Sequence, residues 1–167
     1  ELLPVEDEGR MRNEELREHF LTRLFAIADL RSSRIESPKD LMDFHRRYKY
    51  LLMSHSQTKL KEMGNMVANS HKDFEKALEL YKLKFLQALK RKPTKGQHAN
   101  TLMHVMGHLR LKSSEKKHFL NLLEKYRQGR ENLHTLIEII RSWAYRFDNE
   151  YLLEQVYLSP YPEELRA

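Results

Sequence analysis

The stretch Asp73-Phe74-Glu75-Lys76-Ala77-Leu78-Glu79-Leu80-Tyr81-Lys82-Leu83-Lys84-Phe85-Leu86-Gln87-Ala88-Leu89-Lys90-Arg91-Lys92-Pro93 decides the fold class. Phe74, Ala77, Leu78, Tyr81, Phe85, Ala88 and Leu89 recur at three- and four-residue steps, the spacing of one face of an α-helix. Lys90, Arg91 and Lys92 stand where cations suit the negative end of a helix dipole, and Pro93 ends the run. Leu80, Leu83 and Leu86 lie off this stripe. Either the helix is buried on two sides, or this second face meets a partner.

The same pattern extends both ways. Upstream, Asn13 heads a helix over about 14–31, with Glu14 and Glu15 in its first turn. Ser37-Pro38-Lys39-Asp40 combines a cap, a first-turn proline and an acid three residues after the cap. The helix it starts carries Leu41, Phe44, Tyr48, Leu51 and Leu52, and continues or breaks near Ser54–Ser56 into a piece with Leu60, Met63 and Val67. Ser70-His71-Lys72-Asp73 repeats the cap signature ahead of the deciding helix. Downstream, Thr94-Lys-Gly-Gln97 is a capping box, and its helix is expected to reach about 111. Ser113 or Ser114 caps the next, which Gly129 stops. Leu133, Leu136, Ile137, Ile140, Ala144 and Phe147 mark another, and Asp148 caps a short last piece.

No strand-like alternation and no internal repeat interrupts this series. The expected fold is all-α: one helical bundle of six to eight helices over residues 13–158. Residues 1–12 read as a linker arriving from an upstream domain, and 159–167 as an extended C-terminal tail around Ser159-Pro-Tyr-Pro162.

The chain has 167 residues, five Gly, five Pro and no Cys. That length suits one domain able to bury about two thirds of its unfolded surface. Zero Cys removes disulfides, thiolate zinc sites, cysteine nucleophiles and iron–sulfur ligation. No apolar run approaches the roughly 20 residues of a membrane helix, so no membrane partner is expected. The missing thiols are compatible with the expected cytoplasmic location.

Charge is uneven along the chain. Residues 76–117 hold eleven Lys or Arg against Glu79 and Glu115. The flanking segments are near neutral or acidic, although the whole chain is +6. Such a segment attracts a polyanion or forms a solvated face. Arg46, Arg47 and Lys49 alternate with Tyr48 and Tyr50, a pairing of cations and rings that suits RNA.

Motifs for catalysis are missing: no glycine-rich nucleotide loop, no nucleophile elbow and no paired-histidine zinc motif. His104 and His108 share one helix face, with Asn100 and Gly107 nearby. They could stack on bases, bind phosphate, pack, or join a second-helix histidine at a metal, although no carboxylate completes such a set. Gly107 in mid-helix marks a close helix crossing or a close ligand.

Several segments together resemble the YbgA-like domain, a bacterial helical domain of unknown function. They are Phe44-His45-Arg-Arg-Tyr-Lys49-Tyr-Leu-Leu-Met-Ser-His55, Asn100-x-x-x-His104-Val-Met-Gly107, Ser114-Glu-Lys-Lys117, Tyr126-Arg-Gln-Gly129, and Tyr151 through Leu165. The opening Leu3-Pro-Val-Glu-Asp-Glu-Gly9-Arg is similar to the junction behind a fused thiouracil-desulfidase-like domain. Glu131-Asn-Leu-His134-Thr departs from the more apolar pattern of the family at that place.

The resemblance implies an accessory module holding transfer RNA for an enzyme that desulfurates 4-thiouridine or thiouracil. No catalytic residue is expected here, and the iron–sulfur cluster is expected only in the upstream domain, in cis. Expected RNA contacts are His45, Lys49, His55, Lys95, Asn100, His104, Lys112, Lys116 and Lys117. Lysines would meet phosphates, and histidines with Asn100 would meet ribose or bases. Two alternatives stand beside this: a stand-alone enzyme on a small nucleotide with histidine acid–base chemistry, and a structural or dimerisation module using Leu80, Leu83 and Leu86.

Overall fold

The computed structural model describes residues 4–166; Glu1–Leu3 of the expected linker and Ala167 of the expected tail lie outside the described residues. Seven long helices build the body: α2 (Glu14–Ser32), α3 (Pro38–His55), α4 (Gln57–Asn69), α5 (Phe74–Ala88), α6 (Lys95–Met106), α7 (Ser113–Arg127) and α8 (Leu133–Arg146). A four-residue helix precedes them, α1 (Glu8–Met11), and another follows, α9 (Glu150–Leu153). No strand occurs among the described residues. The chain is an all-α fold.

Local chemistry sets the boundaries. Asn13, Ser37, Thr94 and Asn132 each accept a backbone N–H of the helix they precede. Ser56 ends α3 and caps α4 with its hydroxyl, so the break falls at one residue. Gly129 ends α7 at φ +74, with Arg130 N–H donating to the Lys125 carbonyl at 2.8 Å.

Four expected ends move. Ser70–Lys72 form a 3₁₀ turn, and Asp73 rather than Ser70 caps α5. Lys112 stands at the N-cap of α7, and the Glu115 carboxylate reaches back to accept its N–H. Asn149, not Asp148, caps α9; Asp148 adopts φ 48, a conformation that Asp tolerates better than most residues. Helix α6 stops at Met106, with exposed Gly107 as its C-cap. The expected helix crossing at Gly107 is therefore corrected: an added Cβ would meet the carbonyls of His104 and Met103 in its own helix.

Helix α3 is the axis. It packs against α4, α5 and α6, and against a 3₁₀ turn at Val156–Leu158. Phe44 stacks on Tyr48 at 4.6 Å between ring centroids, and both meet Phe85 of α5, at 5.5 and 5.0 Å. Tyr48 completes its burial by donating to Asp29 of α2 at 2.7 Å. Leu102 and Val105 of α6, Phe119 and Leu123 of α7, and Leu136 and Ile140 of α8 extend the same core. Buried Gln155 ties α3 to the chain after α9: its amide donates to the Arg46 carbonyl at 2.8 Å and accepts from Tyr50 N–H.

The segment expected as a bare linker contains α1, capped by Asp7. The expected extended tail instead folds back. Tyr161 is buried 6.4 Å from the ring of Phe25, and Glu163 and Arg166 of a 3₁₀ turn pair with Arg141 and Glu138 of α8. Leu80 and Leu83 are 41% and 50% exposed, so burial of α5 on two sides is also corrected.

Candidate nucleic-acid interface

Helices α3 and α6 run antiparallel. Gln97 near the start of α6 donates to the His55 carbonyl at the end of α3, and His108 just past α6 meets Tyr50 further back along α3. One end of this pair gathers rings and cations. Tyr50, His108 and Tyr151 form a triangle with centroid separations of 6.0, 5.4 and 6.3 Å. Lys49 Nζ lies 5.3 Å from the Tyr50 ring, and the Arg46 guanidinium lies 5.9 Å from that of Tyr151. Tyr50 is buried under this arrangement, while His104 and His108 are exposed and Tyr151 is half-buried. Asn149 fixes the turn, its amide donating to the His108 carbonyl at 3.2 Å.

Beside the triangle is a cleft of about 480 Å³, lined by His108, Arg110, Phe147, Asp148, Asn149 and Glu150. The Arg146 guanidinium sits 4.6 Å from the Phe147 ring and binds Glu115 at 2.5 Å. That link brings the start of α7, with exposed Lys112, Lys116 and Lys117, to the same end of the molecule. Burial and the charges of Lys49 and His104 push the His108 imidazole below its ordinary range. A bound anion would oppose that shift.

The expected contacts divide. Lys49, His104, Lys112, Lys116 and Lys117 fall at this end. Asn100 is half-buried one turn before His104 on α6. Lys95 lies at the opposite end of α6, 5.8 Å from the Tyr126 ring. His45 is half-buried between α3 and α5, its Nδ1 3.0 Å from the Tyr81 hydroxyl. Burial, with Lys49 adding to it, pushes His45 down to about 4.

His55 is a correction. It is only 8% exposed, and its Nδ1–H donates to the Leu51 carbonyl at 2.9 Å, so it cannot meet RNA in this fold. Tyr48 and Tyr50, expected as stacking rings between the cations, are likewise core residues. Period-two alternation on a helix spreads residues around the axis, so these two rings turn into the core, with Lys49 and Arg47 lying against them at 5.3 and 5.8 Å.

Sequence reasoning missed the pairing of His108 with Tyr151, because α9 reaches α3 only through the fold. It also missed a buried histidine cluster. The rings of His19 and His55 lie 5.7 Å apart, and His98 Nδ1 is 2.9 Å from the Tyr157 hydroxyl. Burial is the main reason these three are pushed down, to about 4 for His19, 3 for His55 and 4 for His98. Among the described residues, no three His, Asp or Glu are gathered so as to hold a metal ion.

The eleven cations of residues 76–117 are mostly free. Among the described residues only Lys84 and Lys92 pair with a carboxylate, to Glu62 and Glu15, which leaves nine without one. Outside that segment, Arg46, Arg47, Arg141 and Arg146 are matched to Glu154, Asp29, Glu138 and Glu115.

A family described as a protein of unknown function (DUF1722) matches residues 49–162. The chain is 27% identical over 148 residues to the uncharacterized protein YbgA of Escherichia coli (strain K12), across 85% of this chain and 88% of that protein. No solved structure matches. No helix of the described residues is long and apolar enough to cross a membrane.

Proposed function

We propose that this chain, which belongs to the DUF1722 family of proteins of unknown function, is an RNA-binding module whose ligand is transfer RNA. The observation that carries this reading is the set of nine uncompensated cations in residues 76–117, with Arg110 lining a cleft beside the exposed His108 ring. A protein that neutralises its own lysines gains little from a polyanion; one that leaves them open gains the release of condensed counterions. Arg110, Lys112, Lys116 and Lys117 contact phosphates around the cleft beside His108. His104, His108 and Tyr151 offer ring faces to unpaired bases. Lys95, nine residues before His104 on α6, reaches a further phosphate about 13 Å along the axis.

The resemblance to the YbgA-like domain supplies the rest of the proposal. The RNA is presented in cis to a desulfidase-like domain acting on 4-thiouridine, in the cytoplasm. Bond breaking belongs to that neighbour, with its iron–sulfur cluster, whose usual thiolate ligands this chain lacks. The role of this chain is to bind and orient.

Filter binding of the chain to transfer RNA across a salt series tests the proposal. Affinity is expected to fall linearly on logarithmic axes, with a slope of about 0.7 to 0.9 per phosphate contact. Absent binding at low salt, or binding indifferent to salt, overturns it.

A further inference from the structure

A second cleft, of about 220 Å³, lies between the segment before α1, the first half of α2 and the chain after α5. Arg10, His19, Arg23, Lys90 and Lys92 line it together with the Glu6 carboxylate, and Leu16 and Phe20 are among its apolar neighbours. It is separate from the His108 cleft, at the other end of the α3–α6 pair, where His19 meets His55. Two of its cations are already matched: Arg10 to Glu6 at 3.0 Å, and Lys92 to Glu15. Arg23 and Lys90 have no carboxylate partner among the described residues. Arg23 Nε and His19 Nδ1 are buried without a hydrogen-bond partner. Arg23 Nε is a donor, and buried donors are almost always satisfied, so this guanidinium lacks an acceptor; a neutral His19 can hold Nδ1 as an acceptor and adds no such demand.

We propose that this cleft binds a dianionic phosphate monoester. Two uncompensated positive charges match the charge of such a group near pH 7, about −1.5 to −2, and exceed what one carboxylate would neutralise. A guanidinium is suited to phosphate oxygens, which its planar fork of donors meets in pairs. Leu16 and Phe20 give the organic part of the ester an apolar seat. The phosphate comes either from the end of an RNA chain or from a free nucleotide, and the chemistry of recognition is the same.

His19 reports on occupancy. Burial first, then the charge of Arg23, holds its imidazole down at about 4; Lys92 adds to this and Glu6 opposes it. Its other neighbours are the Lys90 backbone and the imidazole of His55. A bound dianion reverses the local field, so the midpoint for His19 rises with ligand.

Calorimetric titration of the full chain with uridine 5′-monophosphate and with uridine tests the site. The monophosphate is expected to bind at least ten-fold tighter. Arg23→Gln is expected to remove that preference, and Lys90→Gln, at an exposed position, to reduce it several-fold with an unchanged melting temperature. Two ten-nucleotide RNAs differing only in a 5′-phosphate or 5′-hydroxyl separate the sources. A ten-fold preference for the phosphorylated RNA that Arg23→Gln erases assigns the chain terminus; a preference confined to the mononucleotide assigns the free ligand. Equal binding of monophosphate and uridine, or wild-type preference in both variants, overturns the proposal. The 5′-hydroxyl RNA reads the α6–α7 surface by itself, so loss of RNA binding there leaves the phosphate result interpretable.

Discussion

The imidazole of His108 lies 5.4 Å from the ring of Tyr151, centroid to centroid, with the planes inclined at 45°. One residue follows α6 and the other belongs to α9, so their meeting is made by tertiary structure alone. Stacking of a base on an aromatic ring contributes about 1–3 kcal/mol. Tyr151→Ala is therefore expected to weaken transfer RNA binding between about five-fold and 150-fold. Tyr151→Phe keeps the ring and is expected to bind as wild type. Filter binding with a melting curve for each variant checks this, and an unchanged affinity for Tyr151→Ala removes the ring from the interface.

Lysines at the start of α7 are expected to act through charge, not shape. Lys112→Gln, Lys116→Gln and Lys117→Gln should each lower the logarithmic salt slope of RNA binding by about 0.7 to 0.9. Lys61→Gln, an exposed change on α4, should leave the slope alone. Equal slopes in all four variants would place the RNA elsewhere.

Acid should destabilise the fold through its histidines. His19, His45, His55 and His98 have native values pushed down to about 4, 4, 3 and 4, chiefly by burial. The unfolded chain, with values near 6.5, binds protons first as pH falls. Well above pH 6.5 these groups are neutral in both states and contribute no slope. Between about 6.5 and 4 stability drops, by up to about 1.4 kcal/mol per pH unit for each histidine. Chemical denaturation at pH 7.5, 6 and 5 measures it, and a midpoint independent of pH over that range contradicts the burial.

Gly129 has φ +74, and a Cβ there would come within 3.3 Å of Lys95 Nζ. Gly129→Ala is expected to cost about 1–2 kcal/mol from the left-handed backbone. The flexible lysine end can move aside. Gly129→Asn should cost less, because Asn adopts that conformation more readily. Urea unfolding distinguishes the two.

Leu83→Glu is expected to change stability by no more than about 0.5 kcal/mol, because Leu83 is half exposed on α5. Sedimentation of the wild type and this variant tests the dimerisation alternative in the same experiment. A dimer that becomes a monomer supports that alternative; two monomers exclude a role for this face in self-association.

Elements written in local chemistry were readable from the sequence. Thr94 with Gln97, Ser37 with Pro38, and Gly129 each place a helix end within a residue of where it occurs. Ends governed by competing neighbours moved by a few positions. Glu115 reaching back to Lys112 displaced the expected serine cap, and the C-cap at Gly107 ended α6 early. For the candidate interface, residue type singled out Lys49 and His104 and charge singled out the lysine group at α7, residues that the fold brings to one end of the molecule. His55 was not, because its ring is withdrawn by a hydrogen bond to Leu51 that no spacing reveals. Tyr151 and His19 entered through contacts between elements distant along the chain, which periodicity does not encode.

The return of Tyr161 to Phe25 leaves both extremities of the described chain against one rod, α2, since Glu6 also lines a cleft with Leu16 and Phe20. The order in which the helices are strung is therefore separable from the way they pack. A circular permutant, with its old ends stitched by a short flexible bridge and new ones cut in another loop, should preserve every helix and both clefts.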